Sequence, residues 1–80
     1  MRLNLKVTKR TGRSGIEVRS PQLKLTSHGQ NDVEATESLR RGIVAWCSGL
    51  KSSNRLENAL SARRVQWTPD GDSIVVEFMA

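Results

Sequence analysis

The sequence lacks the features that are typical of secreted and membrane proteins. It has 80 residues with a single cysteine and a single histidine, and it has no tyrosine. One cysteine cannot form an intrachain disulfide, which is typical of a protein in a reducing cytoplasm. No apolar run approaches the roughly 18 residues of a membrane span, and the alternating start MRLNLKVTKR lacks the apolar core of a signal peptide. We therefore expect a cytoplasmic protein with no membrane contact.

Side chains that carry out acid–base or nucleophilic chemistry are also scarce. His28 precedes a predicted helix, where a solvated loop histidine is favoured over a general base or an anion ligand. Cys47 falls on an apolar helix face, which predicts an inert buried thiol. Asp70 and Asp72 flank a glycine in a turn too short to hold calcium, and no zinc-ligand spacing or phosphate-binding glycine loop occurs. We predict no catalytic residue, metal or cofactor, and thus no enzyme.

The only long, strongly periodic stretch runs from Asn31 to Leu50. Asn31 followed by Glu34 has capping-box spacing, and the stretch that follows predicts a long helix. One face is an apolar seam formed by Leu39, Ile43, Trp46 and Leu50. A second stripe has only small residues: Ala35, Ser38, Gly42, Ala45 and Gly49. Such a stripe predicts close approach of another backbone, and internal packing is favoured over a dimer groove.

The remaining segments predict short strands and one short helix. Alternation at 2–8 and 16–19 predicts a hairpin joined by a basic loop at 9–15, and 22–26 is a possible third strand. A short helix is expected from Asn54 to about Arg63, followed by a hairpin whose turn is at 69–72. The predicted fold is a single α+β domain of order β-β-(β)-α-α-β-β. Its mostly antiparallel sheet has four to five strands packed on one long and one short helix.

Positive charge is concentrated in the first third of the chain. Residues 1–26 carry seven basic side chains and one acid, Glu17, a net charge of +6. Residues 27–80 carry six basic and seven acidic side chains, a net charge of −1 that brings the total to +5. The asymmetry indicates a localised basic surface.

One hypothesis is a small, non-catalytic basic module that contacts the backbone of RNA or DNA. The contact would use the N-terminal sheet face and the 9–15 loop. Residues 1–26 contain no aromatic side chain, so base stacking is not expected there. The same basic residues are equally compatible with a second interpretation, in which they form a solvated sheet face that deters aggregation through the sheet edges. The candidate binding residues are Arg2, Lys6, Lys9, Arg10, Arg13, Arg19 and Lys24.

The alternative is a protein-interaction or regulatory accessory module, such as a small subunit or an antitoxin-like or phage-type protein. Val75 alternates with Ile74 and Val76, so the last strand has apolar residues on both faces. Such a strand at a sheet edge is suited to pairing with another chain, including an acidic protein partner. The chain would then be a monomer or a weak homodimer without a nucleic-acid role.

Overall fold

The computed structural model describes residues 1–79, which form six strands and two helices. Their α+β class and their order, strands followed by two helices and two more strands, confirm the sequence prediction. The strands form two sheets, whereas one sheet of four to five strands was expected. The elements are β1 (Arg2–Lys6), β2 (Thr8–Gly12), β3 (Gly15–Ser20), β4 (Leu25–Gly29), α1 (Asp32–Ser52), α2 (Leu56–Ala62), β5 (Gln66–Thr68) and β6 (Val75–Met79).

Each sheet has three strands. Sheet A has the order β5-β1-β6, with β1 antiparallel to β5 and parallel to β6, so that Leu3 lies opposite both Trp67 and Val76. Sheet B is an antiparallel meander of order β2-β3-β4, in which Val18 lies opposite Lys9 and Ser27. The two terminal regions of the chain therefore meet in sheet A, and the basic N-terminal third continues into sheet B.

The predicted hairpin between residues 2–8 and 16–19 is wrong. Only Val7 separates β1 from β2, and β1 pairs with the two C-terminal strands instead. The predicted C-terminal hairpin is wrong as well, because β1 lies between β5 and β6. The expected basic loop at 9–15 is mostly strand, with a turn of two residues, Arg13–Ser14. Gly15 has φ +133°, a conformation that glycine adopts without the steric cost of a Cβ atom. Alternation predicts a strand but not its partner, because the same pattern fits any half-buried ladder.

Helix α1 begins where the sequence predicts. The Asn31 side chain caps it by accepting a hydrogen bond from the Glu34 N–H at 2.9 Å. Its buried stripe has a spacing of four and differs from the predicted seam, since Trp46 and Leu50 are only half-buried. The residues of this buried stripe are Ala35, Leu39, Ile43 and Cys47.

Both sheets contribute to one hydrophobic core against this stripe. Leu3 and Leu5 of sheet A and Val18 of sheet B are fully buried in the same cluster. Leu56 and Leu60 of α2 complete it from the other side. A fully buried leucine or isoleucine stabilises a fold by roughly 1.5–3 kcal/mol relative to its exposed state, so this shared core holds the two sheets together.

The three aromatic side chains lie outside sheet B. Trp46 of α1 has the Arg63 guanidinium carbon 5.3 Å from its ring centroid. Phe78 of β6 is covered in the same way by Arg40, also at 5.3 Å. Trp67 belongs to β5, in sheet A. Such cation–π contacts shield half-buried rings from water and contribute about 0.5–1 kcal/mol each at exposed sites.

The small-residue stripe of α1 receives another backbone at Ala35, its first residue, and not at its two glycines. Gly42, Ala45 and Gly49 are exposed, and a Cβ atom added at Gly42 or Gly49 would have no neighbour within 4 Å among the described residues. The close approach occurs at Gly29 instead, where an added Cβ would overlap the backbone nitrogen of Ala35 and lie 2.8 Å from its Cα. The end of β4 therefore packs directly on the first turn of α1.

We expect opposite effects from alanine at these two glycines. Gly42→Ala should raise the free energy of unfolding by about 0.5–1 kcal/mol, because it improves helix propensity in open space. Gly29→Ala should lower it by roughly 1–3 kcal/mol, because β4 must move away from α1. Urea titration followed by far-UV circular dichroism measures both. Equal stability of the two variants would contradict the packing of β4 on α1.

Candidate nucleic-acid interface

The outer face of sheet B is polar, because α1 covers the inner face. Residues that lie directly opposite one another in antiparallel strands project to the same side. One outer row consists of Arg10, Glu17 and His28, which are paired across β2, β3 and β4. The neighbouring row places Arg19 between two threonines. This face therefore carries two arginines, a histidine and one carboxylate.

Two of the seven predicted binding residues are neutralised by carboxylates. Arg2 donates to Glu77 at 2.8 Å and to Asp70 at 3.2 Å, which ties β1 to β6 and to the turn before it. Lys9 lies opposite the buried Val18, on the inner side, and its Nζ is 2.7 Å from Oδ1 of Asp32 at the start of α1. The hydrogen bond from Lys9 lowers the pKa of Asp32 below its ordinary value. These two cations are therefore already paired with carboxylates at the surface.

The other five predicted residues are exposed and form no ion pair with any carboxylate of residues 1–79. We call them the five-cation surface: Lys6, Arg10, Arg13, Arg19 and Lys24. Arg13 occupies the β2–β3 turn, where a basic loop was expected, and Lys24 lies in the turn before β4. The Lys6 N–H donates to the Gln22 side chain at 3.0 Å, which joins the end of β1 to that turn.

A cleft of about 420 Å³ opens at the turn end of the five-cation surface. Within it, the His28 Nε2 and the Glu17 Oε2 are 3.2 Å apart. The residues that line the cleft are Arg10, Gly12, Ser14, Gly15, Ile16, Glu17 and His28. Sequence reasoning missed this site because it placed 9–15 and 27–30 in loops. The alternation of Leu25, Ser27 and Gly29 with Thr26 and His28 was the available signal of a strand.

A larger cavity of about 550 Å³ lies where the end of α1 meets α2 and the β5–β6 connection. Trp67, Leu56 and Ile74 provide its apolar wall, and Lys51 and Asn54 are among its polar residues. None of the seven predicted binding residues lines it. The cavity is thus separate from the five-cation surface.

Three further observations on residues 1–79 concern metal binding, membrane spans and the reactivity of the thiol. Residues 1–79 contain no group of three or more His, Cys, Asp or Glu side chains placed to hold a metal ion. Their helices include none long and apolar enough to cross a membrane. Cys47 is fully buried, and burial raises the pKa of its thiol to about 11. A thiol in this state is a poor nucleophile.

No protein-family model, curated protein or solved structure matches the chain. Its function is therefore inferred from the charges, register and exposure of its own residues. Charge, strand register and exposure all point to the five-cation surface as the candidate binding site.

The Cys47 thiol should be unreactive in the folded protein. Its pKa of about 11 leaves roughly one thiol in a thousand ionised at pH 8, and the sulfur is covered by the core. Labelling with a maleimide or an aromatic disulfide should be slow in buffer and rapid in concentrated urea. Rapid labelling of the native protein, at the rate of a free thiol, would contradict the burial of Cys47.

Proposed function

We propose that the chain is a non-catalytic module that binds the phosphate backbone of RNA or DNA through the five-cation surface. The observation that carries the proposal is the set of five exposed cations between residues 6 and 24, none of them paired with a carboxylate of residues 1–79. Each cation that neutralises a phosphate releases a condensed counterion, which is the main source of affinity in binding of this kind.

The acids near this surface are engaged in contacts of their own. Asp32 is paired with Lys9, and Glu77 is paired with Arg2. Glu17 is the one carboxylate on the outer face of sheet B, and it contacts His28. Of these three acids, Glu17 alone has no lysine or arginine partner, so the five cations and Glu17 together carry a net charge of +4 when His28 is neutral.

The composition of the surface favours binding to backbone rather than to bases. It contains no aromatic side chain on which a base could stack. It is formed by strands and turns, and α1 faces the core instead of presenting side chains to a groove. Contacts from arginine and lysine to phosphate position a protein on nucleic acid but carry no sequence information directly. We expect binding with little sequence preference.

The affinity for nucleic acid should fall steeply with salt. If all five cations contact phosphate, the slope of log K against log salt is about −4.5 for duplex DNA and about −3.5 for a single strand. Arg10→Ala/Arg19→Ala should reduce the steepness of the duplex slope by about two. The matched control is Arg41→Ala/Arg55→Ala, which removes the same charge at exposed positions outside the surface and should leave the slope nearly unchanged. Fluorescence anisotropy with labelled mixed-sequence oligonucleotides measures the slopes.

A parallel NMR titration with the same oligonucleotides locates the contact through amide chemical shifts. Shifts at residues 6–24 that fade as salt rises would support the proposal. An absence of binding at low salt, or equal losses in the two double variants, would refute it.

A second candidate function is association through the edge of sheet A. β6 pairs with β1 and with no other strand in the described part of the chain. It has apolar residues on both faces, with Val76 buried on one side and Val75 half-buried on the other. Met79 is 41% exposed on the same face as Val75. An open edge of this kind is suited to adding a strand from a second copy or from another protein.

Self-association through β6 should be concentration-dependent and sensitive to charge at its edge. Val75→Lys should lower the association constant, because a lysine on each paired edge introduces repulsion and removes apolar contact. Gln66→Lys is the control, since it adds the same charge to the exposed face of β5 in the same sheet. Sedimentation velocity over a wide concentration range measures the association constants of the wild type and of both variants. A wild-type monomer at every concentration would exclude self-pairing.

A further inference from the structure

The cleft at the turn end of the five-cation surface has the chemical groups of a phosphate site. Arg10 supplies a planar guanidinium, which matches the oxygens of a phosphate, and Ser14 supplies a hydroxyl. Gly12 and Gly15 form part of the wall and have no side chains that would block an approaching anion. A cleft of about 420 Å³ has room for a phosphate together with part of its sugar.

The charge of the cleft depends on one imidazole. With His28 neutral, the charges of Arg10 and Glu17 cancel; with His28 protonated, the three groups carry a net charge of +1. Histidine is the one side chain that ordinarily changes charge between pH 5 and 8. Because Glu17 contacts His28 at 3.2 Å, a protonated imidazole offsets the charge of the carboxylate, and the charge of Arg10 then acts on a phosphate without opposition from Glu17.

The other charged groups on the elements around His28 include Arg10, Arg13 and Arg19 of sheet B and Asp32 and Glu34 of α1, of which Glu34 lies in the turn that packs on Gly29. Glu17 is its direct cross-strand neighbour, and Arg10 lies beyond Glu17 in the same row. Arg19 lies in the adjacent outer row, and Arg13 lies in the turn near the cleft. On the opposite side of sheet B, the α1 carboxylate Asp32 is already paired with Lys9. Glu17 is thus the one acid of residues 1–79 seen to hold the imidazole.

We infer that this cleft binds one phosphate of the nucleic-acid backbone, and that binding is coupled to protonation of His28. The inference rests on the proposed function and adds a subsite and a pH dependence to it. A bound phosphate attracts the protonated imidazole, so binding takes up a proton. The affinity therefore rises as the pH falls and more of the imidazole is protonated, and it declines as the pH rises.

The test is the affinity for a short mixed-sequence single-stranded RNA at constant ionic strength between about pH 5.5 and pH 8. We expect the affinity to be about three- to tenfold higher at the acid end, the effect of one charge-assisted contact in a partly exposed site. His28→Gln should bind with an affinity that no longer varies with pH. Glu17→Gln should raise the affinity at the alkaline end, because it removes a negative charge that repels a phosphate in the cleft.

The single histidine allows a direct second measurement by NMR. The pH of half-titration of its imidazole resonance should move upward when RNA is bound, by the logarithm of the same affinity ratio. Binding that depends on salt but not on pH would overturn the inference and leave the proposed function intact, as would a pH dependence that persists in His28→Gln. A complete absence of binding would overturn both. Since His28 is well exposed, its replacement should not prevent folding.

Discussion

The structure depends on the burial of one side of α1 against two sheets that are too small to be stable alone. Isolated assemblies of a few short strands are marginal in water unless their apolar face is covered. Here Leu39 and Ile43, together with the residues one turn before and after them, supply that cover for both sheets at once. The helix has 21 residues, about 31 Å in length, which suffices to reach across both. Sheets A and B are thus held together through a shared core.

This constraint also decides which cations are available at the surface. Because side chains alternate along β1 and β2, basic residues that are adjacent in sequence lie on opposite faces of a sheet and meet different partners. Lys9 is directed toward α1 and engages Asp32, whereas Arg10 is directed outward and has no ion pair with any described residue. Arg2 faces outward as well, but the C-terminal strand brings Glu77 to it. Total charge therefore does not show how many cations lack a carboxylate partner, whereas strand register helps to show which ones do.

The local parts of this fold were predictable from the sequence, and the long-range parts were not. The cap at Asn31, the long helix and the order of elements follow from signals within a few residues of one another. The pairing of β1 with β6 depends on contacts more than seventy residues apart, for which alternation has no information. Gly42 illustrates the same limit, since propensity marks it as costly in a helix but cannot show that its surroundings are open. All seven candidate residues are exposed, as expected, but which of them have carboxylate partners was predictable only once the partner elements were known.

The placement of the aromatic rings has a practical consequence for spectroscopy. Trp46 and Trp67 are the tryptophan fluorophores of the chain, and both lie outside sheet B, as does Phe78. Intrinsic emission therefore monitors the region of α1, α2 and sheet A. Local fraying of the meander should be nearly invisible to it while remaining visible to amide hydrogen exchange. A difference between the two methods would measure how independently the basic half of the molecule opens.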